Sequence, residues 1–318
     1  MLTKNSKIYI AGHRGMVGSA CWRALEKAGY NNLVGKTSAE LDLRNQATVD
    51  EFIAEEKPDV IVDAAAKVGG ILANDSYPYE FLMDNMLIQN NLIRSAHEND
   101  IRKFIFLGSS CIYPKFAAQP LKEEYLLTDS LEPTNEWYAI AKISGVKLIE
   151  ALRKQHDRDY VSLMPTNLYG PNDNFDLETS HVLPAMIRKF HEAKVSKAKV
   201  VHLWGSGSPK REFLHVNDLA DAVLHVLQNK MQSDLYNVGT GVDVSIRDLA
   251  ISISNHVGFS GEINWDRTKP DGTPRKLLDV SKLNDQGWKA KIDLESGIER
   301  TYSWFLENAT YLRNITFQ

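Results

Sequence analysis

The amino-acid sequence predicts an α/β protein, a doubly wound parallel sheet joined to a second, smaller α/β domain. Three observations predict it. Through the first half, short apolar runs alternate with longer segments of helical periodicity. Those runs are near-continuously apolar, as in strands covered on both faces, rather than apolar at every second residue. A length of 318 residues allows about two domains.

The elements follow in order. Ile8-Tyr9-Ile10-Ala11 is a strand closed by Gly12. Val17, Cys21, Leu25 and Ala28 recur at helical spacing, and Gly29 then stops the helix. Leu33-Val34 is a second short strand, and residues 59–66 form a third. Residues 79–99 are helical, 103–107 form the fourth strand, 136–156 a helix and 160–164 the fifth strand. The second half is less regular, punctuated by Pro165, Pro171, Pro184, Pro209, Pro270 and Pro274 and by a Gly205-Ser206-Gly207-Ser208 loop. Helices are expected there at 183–193, 216–229, 246–257 and 294–308. A composition shift near Pro165 marks a boundary between domains.

Composition narrows the class. Hydrophobic residues make up 43% and charged residues 25%, and 37 basic against 41 acidic residues leave a net charge of −4. That balance excludes a phosphate-directed nucleic-acid binder and a disordered chain. Two cysteines, Cys21 and Cys111, make neither a disulfide framework nor a Cys-only zinc site. Cys21 lies on the apolar stripe of the first helix and reads as core. His97, His156 and His202 show no metal-ligand spacing, so no metal site is expected. No apolar run reaches the ~18–20 residues of a membrane span, and the N-terminus has no signal-peptide core. The expectation is a cytoplasmic protein in a reducing compartment, with no membrane partner.

Gly12-His13-Arg14-Gly15-Met16-Val17-Gly18 places glycines at relative positions one, four and seven, after the first strand and at the start of the first helix. Glycine there lets backbone approach a pyrophosphate, which rests on the positive helix N-terminus. Glycine spacing alone is weak, but the strand-loop-helix context makes this a nucleotide loop of Rossmann type. An NAD site calls for a carboxylate at the end of the second strand. Here that strand runs Val34-Gly35-Lys36-Thr37-Ser38, and Arg14 stands inside the loop. Two cations and no acid favour the 2′-phosphate of NADP(H), although Lys36 alone would also read as a solvated lysine. Asp42 fits the adenine better than the ribose.

Tyr138 and Lys142 stand four apart on one helix face. Tyrosine, with a reference pKa of ~10, is a weak base at neutrality; a neighbouring ammonium is expected to lower that value. Such a tyrosine can protonate a carbonyl oxygen as hydride reaches its carbon. The pair gains meaning from Gly108-Ser109-Ser110-Cys111 at the end of the fourth strand, where ligands sit in open α/β sheets. Ser109 or Ser110 can donate to the same carbonyl oxygen.

Together these features resemble the extended short-chain dehydrogenase/reductase family. Asn167-Leu168-Tyr169-Gly170-Pro171, the run Arg211 to Asp218, and Asn237-Val238-Gly239-Thr240-Gly241 are similar to that family's later segments. Gly108 to Lys115, Asn172 to His191 and Asp271 to Lys276 resemble its GDP-L-fucose synthase branch, the GDP-4-keto-6-deoxy-D-mannose epimerase/reductases. One departure is Glu212, where many members carry Asp.

The resemblance implies NADPH-dependent 3,5-epimerisation of GDP-4-keto-6-deoxy-D-mannose followed by 4-keto reduction. It makes Tyr138 the proton donor, Lys142 its partner, Ser109 the group polarising the ketone, and Cys111 and His181 the epimerisation base and acid. Cofactor contacts would come from Gly12, His13, Arg14, Gly15, Met16, Val17, Gly18, Lys36, Ser38, Asp42, Leu107, Lys142, Pro165, Asn167, Leu168 and His181. Lys189, Trp204, Arg211 and Asp279 would hold the GDP-sugar, although Trp204 alone would also read as loop packing. The chemistry agrees: a ketone at carbon 4 acidifies the protons on carbons 3 and 5, and Cys and His titrate near enough to neutrality to move them.

The expected division is 1–167 with 213–240 for the NADP-binding Rossmann domain, and 168–212 with 241–318 for the substrate domain. The helices at 79–99 and 136–156 imply a homodimer of the family's kind. Alternatives are a colitose-type epimerase/reductase on another GDP-keto-deoxy sugar, a nucleotide-sugar 4-epimerase with retained NAD, and a non-catalytic dinucleotide sensor. A sensor would need none of Ser109, Cys111, Tyr138, Lys142 and His181.

Overall fold

A computed structural model describes residues 2–177, 179–269 and 271–312. Pro270 and the expected domain end beyond 312 lie outside the described residues. The first half alternates as its apolar runs require: β1 (Ile8–Ala11), α1 (Met16–Lys27), β2 (Leu33–Val34), α2 (Gln46–Glu56), β3 (Val60–Asp63), α3 (Ile71–Ser76), α4 (Pro78–Glu98), β4 (Lys103–Leu107), α5 (Glu136–His156) and β5 (Asp159–Pro165). Then come β6 (Asn167–Tyr169), α6 (Val182–Val195), β7 (Val200–Trp204), β8 (Lys210–His215), α7 (Val216–Gln228), β9 (Leu235–Val238), β10 (Asp243–Ser245), α8 (Ile246–Val257), β11 (Glu262–Asp266), β12 (Arg275–Lys276), α9 (Ser281–Asn284) and α10 (Leu294–Leu312).

Six strands form one parallel sheet in the order β2-β1-β3-β4-β5-β9. The order reverses at β1, which places a ligand crevice at the carboxyl ends of β1 and β3. One face packs against α1 and α7 through Cys21, Leu25, Leu219, Val223 and Val226. The other packs against α2, α4 and α5 through Val49, Ile53, Leu92, Val146 and Ile149. Strands sandwiched this way leave no wet face, and every residue of β1, β3 and β4 is buried.

A second sheet runs β10-β8-β12 with β6 paired to β8, and β7 pairs with β11 beside it. Its own core gathers Ile187, Phe190, Leu249, Ile253, Ile298 and Phe305 from α6, α8 and α10, with Phe175 from the loop before α6. The expected third strand, 59–66, is shorter than its apolar run. Residues 64–66 leave the ladder to turn over the glycine loop, where Ala64 N donates to Ala11 O at 3.1 Å. β8 straddles the expected boundary at 212/213. Leu283 and Trp288 return to the first core, a crossing that the expected division lacks.

Two kinds of element escape the sequence reading. α2 has a narrow stripe of Val49, Phe52 and Ile53, and its clearest signal is Asn45, whose side chain accepts from Ala47 N and Thr48 N. The short strands of the second half carry too few residues for any period to show. No described helix is long and apolar enough to cross a membrane.

Candidate active site

The glycine loop folds as a nucleotide cradle. Gly12 sits at φ +74°, and a Cβ there would meet Ala64 O at 2.8 Å. Gly18 packs so tightly that a Cβ would lie 2.1 Å from Gly12 O. A Cβ on Gly15 would find only Gly12 O within reach, at 3.4 Å. The middle glycine therefore faces open space at the N-terminus of α1, where no side chain caps the first amides. Free N–H groups, a positive helix end and room for close approach suit a pyrophosphate, so the residues fit a dinucleotide. Met16 and Val17 form the first turn of α1. The His13 ring leans on Trp22, with centroids 5.7 Å apart, and covers Gly35.

At the adenosine end, Arg14 is exposed and Lys36 half-buried. The loop holds an acid close to both. Glu40 accepts from Thr37 N at 2.7 Å and from Thr37 Oγ1 at 2.6 Å, which holds its carboxyl below the usual range, with Lys36 and Arg14 adding to the effect. Ser38 is exposed beside it. The Asp42 carboxylate is taken up by Arg44 through two bonds of 2.9 Å.

Across the crevice, α5 presents Tyr138 and Lys142 on one face. Lys142 is 2% exposed, and its Nζ donates to Leu107 O at 3.0 Å and lies 5.8 Å from the Tyr138 ring centroid. The expectation of a lowered Tyr138 pKa does not hold in this structure. Burial drives the phenol well above its ordinary range, and Cys111 and Asp63 add to that. The Lys142 ammonium is itself desolvated and bound to a carbonyl, so Tyr138 rests as a protonated acid.

Ser109 begins a single 3-10 turn, Ser110–Ile112, and its Oγ accepts from Cys111 N at 3.4 Å. Ser110 is buried, whereas Ser109 is half-buried. Burial pushes the Cys111 thiol up, while Lys276, Ser109 and Lys142 pull it back. His181 occupies the N-cap position of α6 without a side-chain cap, and desolvation of its ring, with Lys276, holds its pKa below the ordinary value.

Lys276 is the residue that sequence reasoning missed. It pairs in register with Arg211 across β12 and β8, so both project from one face. Its charge acts on Cys111, and Arg211 acts on it in turn. Its signal was its place in the Asp271 to Lys276 segment. Burial also lowers the Arg211 guanidinium, whose Nη1 donates to Lys210 O at 2.7 Å. Trp204 is 70% exposed, so it does not pack a loop; the ammoniums of Lys189 and Lys269 lie 5.9 and 5.4 Å from its ring. Asp279, expected at the GDP-sugar, has a local bond as well: its Oδ1 accepts from Ser281 N at 3.0 Å and Ser281 Oγ at 2.5 Å. That oxygen closes the turn into α9.

Behind these groups Glu212 forms a fully buried hub. Oε1 accepts from Thr240 N at 2.6 Å and Gly241 N at 2.7 Å, and Oε2 from Leu278 N at 2.9 Å. A Cβ on Gly239 would strike that carboxylate at 2.2 Å. Asn167 Nδ2 donates to Glu212 O at 2.8 Å, Leu168 packs on the first core, and Pro165 ends β5. Tyr113 donates to Asn237 Oδ1 at 2.5 Å, tying the Cys111 turn to the end of β9. Among the described residues, no group of three or more His, Cys, Asp or Glu is placed to hold a metal ion.

Comparison with known proteins agrees with this geometry. GDP-L-fucose synthase 1 of Arabidopsis thaliana is 58% identical over 97% of this chain and 95% of its own. GDP-L-fucose synthase of Escherichia coli (strain K12) is 54% identical, covering 96% of this chain and 98% of its own. A GDP-L-fucose synthetase from Naegleria fowleri bound to NADP is 28% identical, with a TM-score of 0.89 over 98% of this chain and 95% of that one. Residues 8–239 match a family description that spans the glycine loop, the Ser109 turn and the Tyr138/Lys142 pair, and the chain belongs to the NAD dependent epimerase/dehydratase family.

Proposed function

We propose that this chain converts GDP-4-keto-6-deoxy-D-mannose to GDP-L-fucose by 3,5-epimerisation followed by reduction of the 4-ketone, with NADP(H) as cofactor. One observation carries the reading. Two proton-transfer sets, Cys111 with His181 and Tyr138 with Lys142, meet in one crevice that Lys276 and Arg211 make cationic. The length-spanning likeness to enzymes named for this activity supports it.

The residues divide the work. Cys111, once ionised, draws a proton from the carbon beside the ketone, and His181 as imidazolium returns one from the opposite face. Both groups reset with solvent before the second centre inverts. Ser109 donates to the ketone oxygen as negative charge builds there. Tyr138 then gives its proton to that oxygen, leaving a phenolate that the Lys142 ammonium stabilises. The bound NADPH supplies the hydride to carbon 4. Gly12 to Gly18, Arg14 and Lys36 hold the cofactor phosphates; Lys189, Trp204 and Arg211 hold the GDP end of the sugar.

The reading includes a two-unit division, with the six-stranded sheet for the cofactor and the second sheet for the sugar. It also includes a homodimer through α4 and α5, supported by the apolar residues those helices expose, and a cytoplasmic setting, supported by two buried free thiols.

The test supplies GDP-4-keto-6-deoxy-mannose and NADPH in heavy water. Deuterium at carbons 3 and 5 with NADPH consumed is the expected result. Reduction without label at both carbons would leave a simpler reductase. Cys111→Ser is expected to slow label wash-in on the order of 10²–10⁴-fold with ketone reduction preserved, and Tyr138→Phe to block reduction alone. Equal loss of both half-reactions in both variants would refute the division.

A further inference from the structure

We propose that Asp63 is a positioning residue for the reduction step, the buried counter-charge that keeps the Lys142 ammonium protonated beside Tyr138. The inference rests on the function proposed above and adds a group that the mechanism does not otherwise use.

Asp63 is the last residue of β3 and is 0% exposed. Its Oδ1 accepts from Ala65 N at 3.2 Å, whereas its Oδ2 is enclosed and accepts no hydrogen bond among the described residues. A carboxylate left so poorly partnered in a core is costly, so its presence calls for a compensating charge. Register supplies one. Asp63 lies opposite Phe106 on β4, and in-register residues of parallel strands project to the same face. That face is the one α5 covers. Lys142 reaches down from α5 to the same ring, its Nζ 4.7 Å from the Phe106 centroid and bonded to the carbonyl of the next residue, Leu107. Gly145 lets α5 come this close, since a Cβ there would lie 2.5 Å from Phe106 Cζ. The acid and the ammonium thus lie on the same face of the sheet beside Phe106, brought there from two elements.

The groups facing this pair are few. β1 contributes Tyr9, whose phenol burial and then Asp63 push upward. α5 contributes Tyr138, and the Ser109 turn contributes Cys111. α4 contributes only neutral amides: Gln89 donates to Ala141 O at 2.5 Å, and Asn85 to Phe81 O at 2.7 Å. Lys67 is drawn away to Asp84 at 3.2 Å. Burial lowers the Lys142 pKa, and Asp63 is the larger of the two groups that raise it back. Removing the carboxylate leaves a desolvated ammonium that gives up its proton more readily, and with it the charge that steadies the Tyr138 phenolate.

Two variants test this. Asp63→Asn keeps the shape and removes the charge; Asp63→Val fills the same space with no polar atom and guards against misfolding of the first. The Lys142 side chain is read by 13Cε-lysine NMR on the whole chain without substrate, its resonance assigned by its loss in Lys142→Met. In both variants Lys142 is expected to titrate about one pH unit or more below wild type. The alkaline limb of kcat for ketone reduction is expected to move down with it, while the pH profile of deuterium wash-in stays in place. An unmoved Lys142 titration in both variants, or an equal shift of both pH profiles, overturns the proposal. A wild-type chain that reduces no GDP-keto-sugar while the NMR shift stands would instead overturn the proposed function and leave the Asp63–Lys142 pairing intact.

Discussion

Cys111 occupies surroundings that oppose its own ionisation. Burial raises its thiol, and Lys276 is the strongest of the groups that lower it. Lys276→Met removes that cation while keeping the length of the stem. The pH at which deuterium wash-in reaches half its maximum is expected to rise, and the rate at neutrality to fall about tenfold for each unit of that rise. Unchanged wash-in would mean that Lys276 does not act on the thiol. Asp63 has a stability signature as well. Burial raises its carboxyl to about 6, above its value in an unfolded chain, so the folded state binds its proton more tightly. Wild type therefore loses stability as pH rises through that value, and Asp63→Val does not. The melting temperature of Asp63→Val minus that of wild type is expected to grow between about pH 4 and pH 6. Tyr138 and Lys142 were legible in the sequence because a four-residue spacing is a helix property. Lys276 and Asp63 were not, because their meaning comes from strands that meet only in the fold.

At the scale of elements, the motifs of the second half build the scaffold beneath the chemistry. The acid at 212 reads in the sequence as a near-neutral swap, yet it anchors the turn at 240–241 and, at Leu278, the segment just after the strand that carries Lys276. Glu212→Gln presents an amide donor to at least one of the three N–H groups the carboxylate now accepts. Leaving a buried donor unpaired costs about 1–3 kcal/mol, which urea unfolding would read as a lower midpoint with an unchanged slope. No loss of stability would show that the hub is dispensable. The parallel sheet was legible because its strands are buried on both faces and therefore continuously apolar. β10 and β12 hold three and two residues, too few for a period, and their ladder partners lie on β8. α2 stayed hidden because its apolar stripe is thin.

At the scale of the molecule, α4 exposes Tyr79, Met83 and Leu87 at successive four-residue steps, and α5 exposes Ile140 and Leu148. Residues so spaced line one side of each helix, and an unpartnered apolar face of this kind favours self-association. The chain is expected to sediment at twice 35.9 kDa at micromolar concentration. Leu87→Lys is expected to return it to a single copy with its melting temperature little changed; a monomeric wild type would remove the dimer. The first sheet is completed by β9, which docks on β5 only after the chain has laid down β6, β7, β8 and α7. Until that late strand arrives, β5 presents a bare row of amides and carbonyls, an edge prone to pairing with the wrong chain. A chain cut before residue 235 therefore lacks a strand of its first sheet, and the order of synthesis puts β6, β7 and β8 of the second half ahead of the strand that closes that sheet.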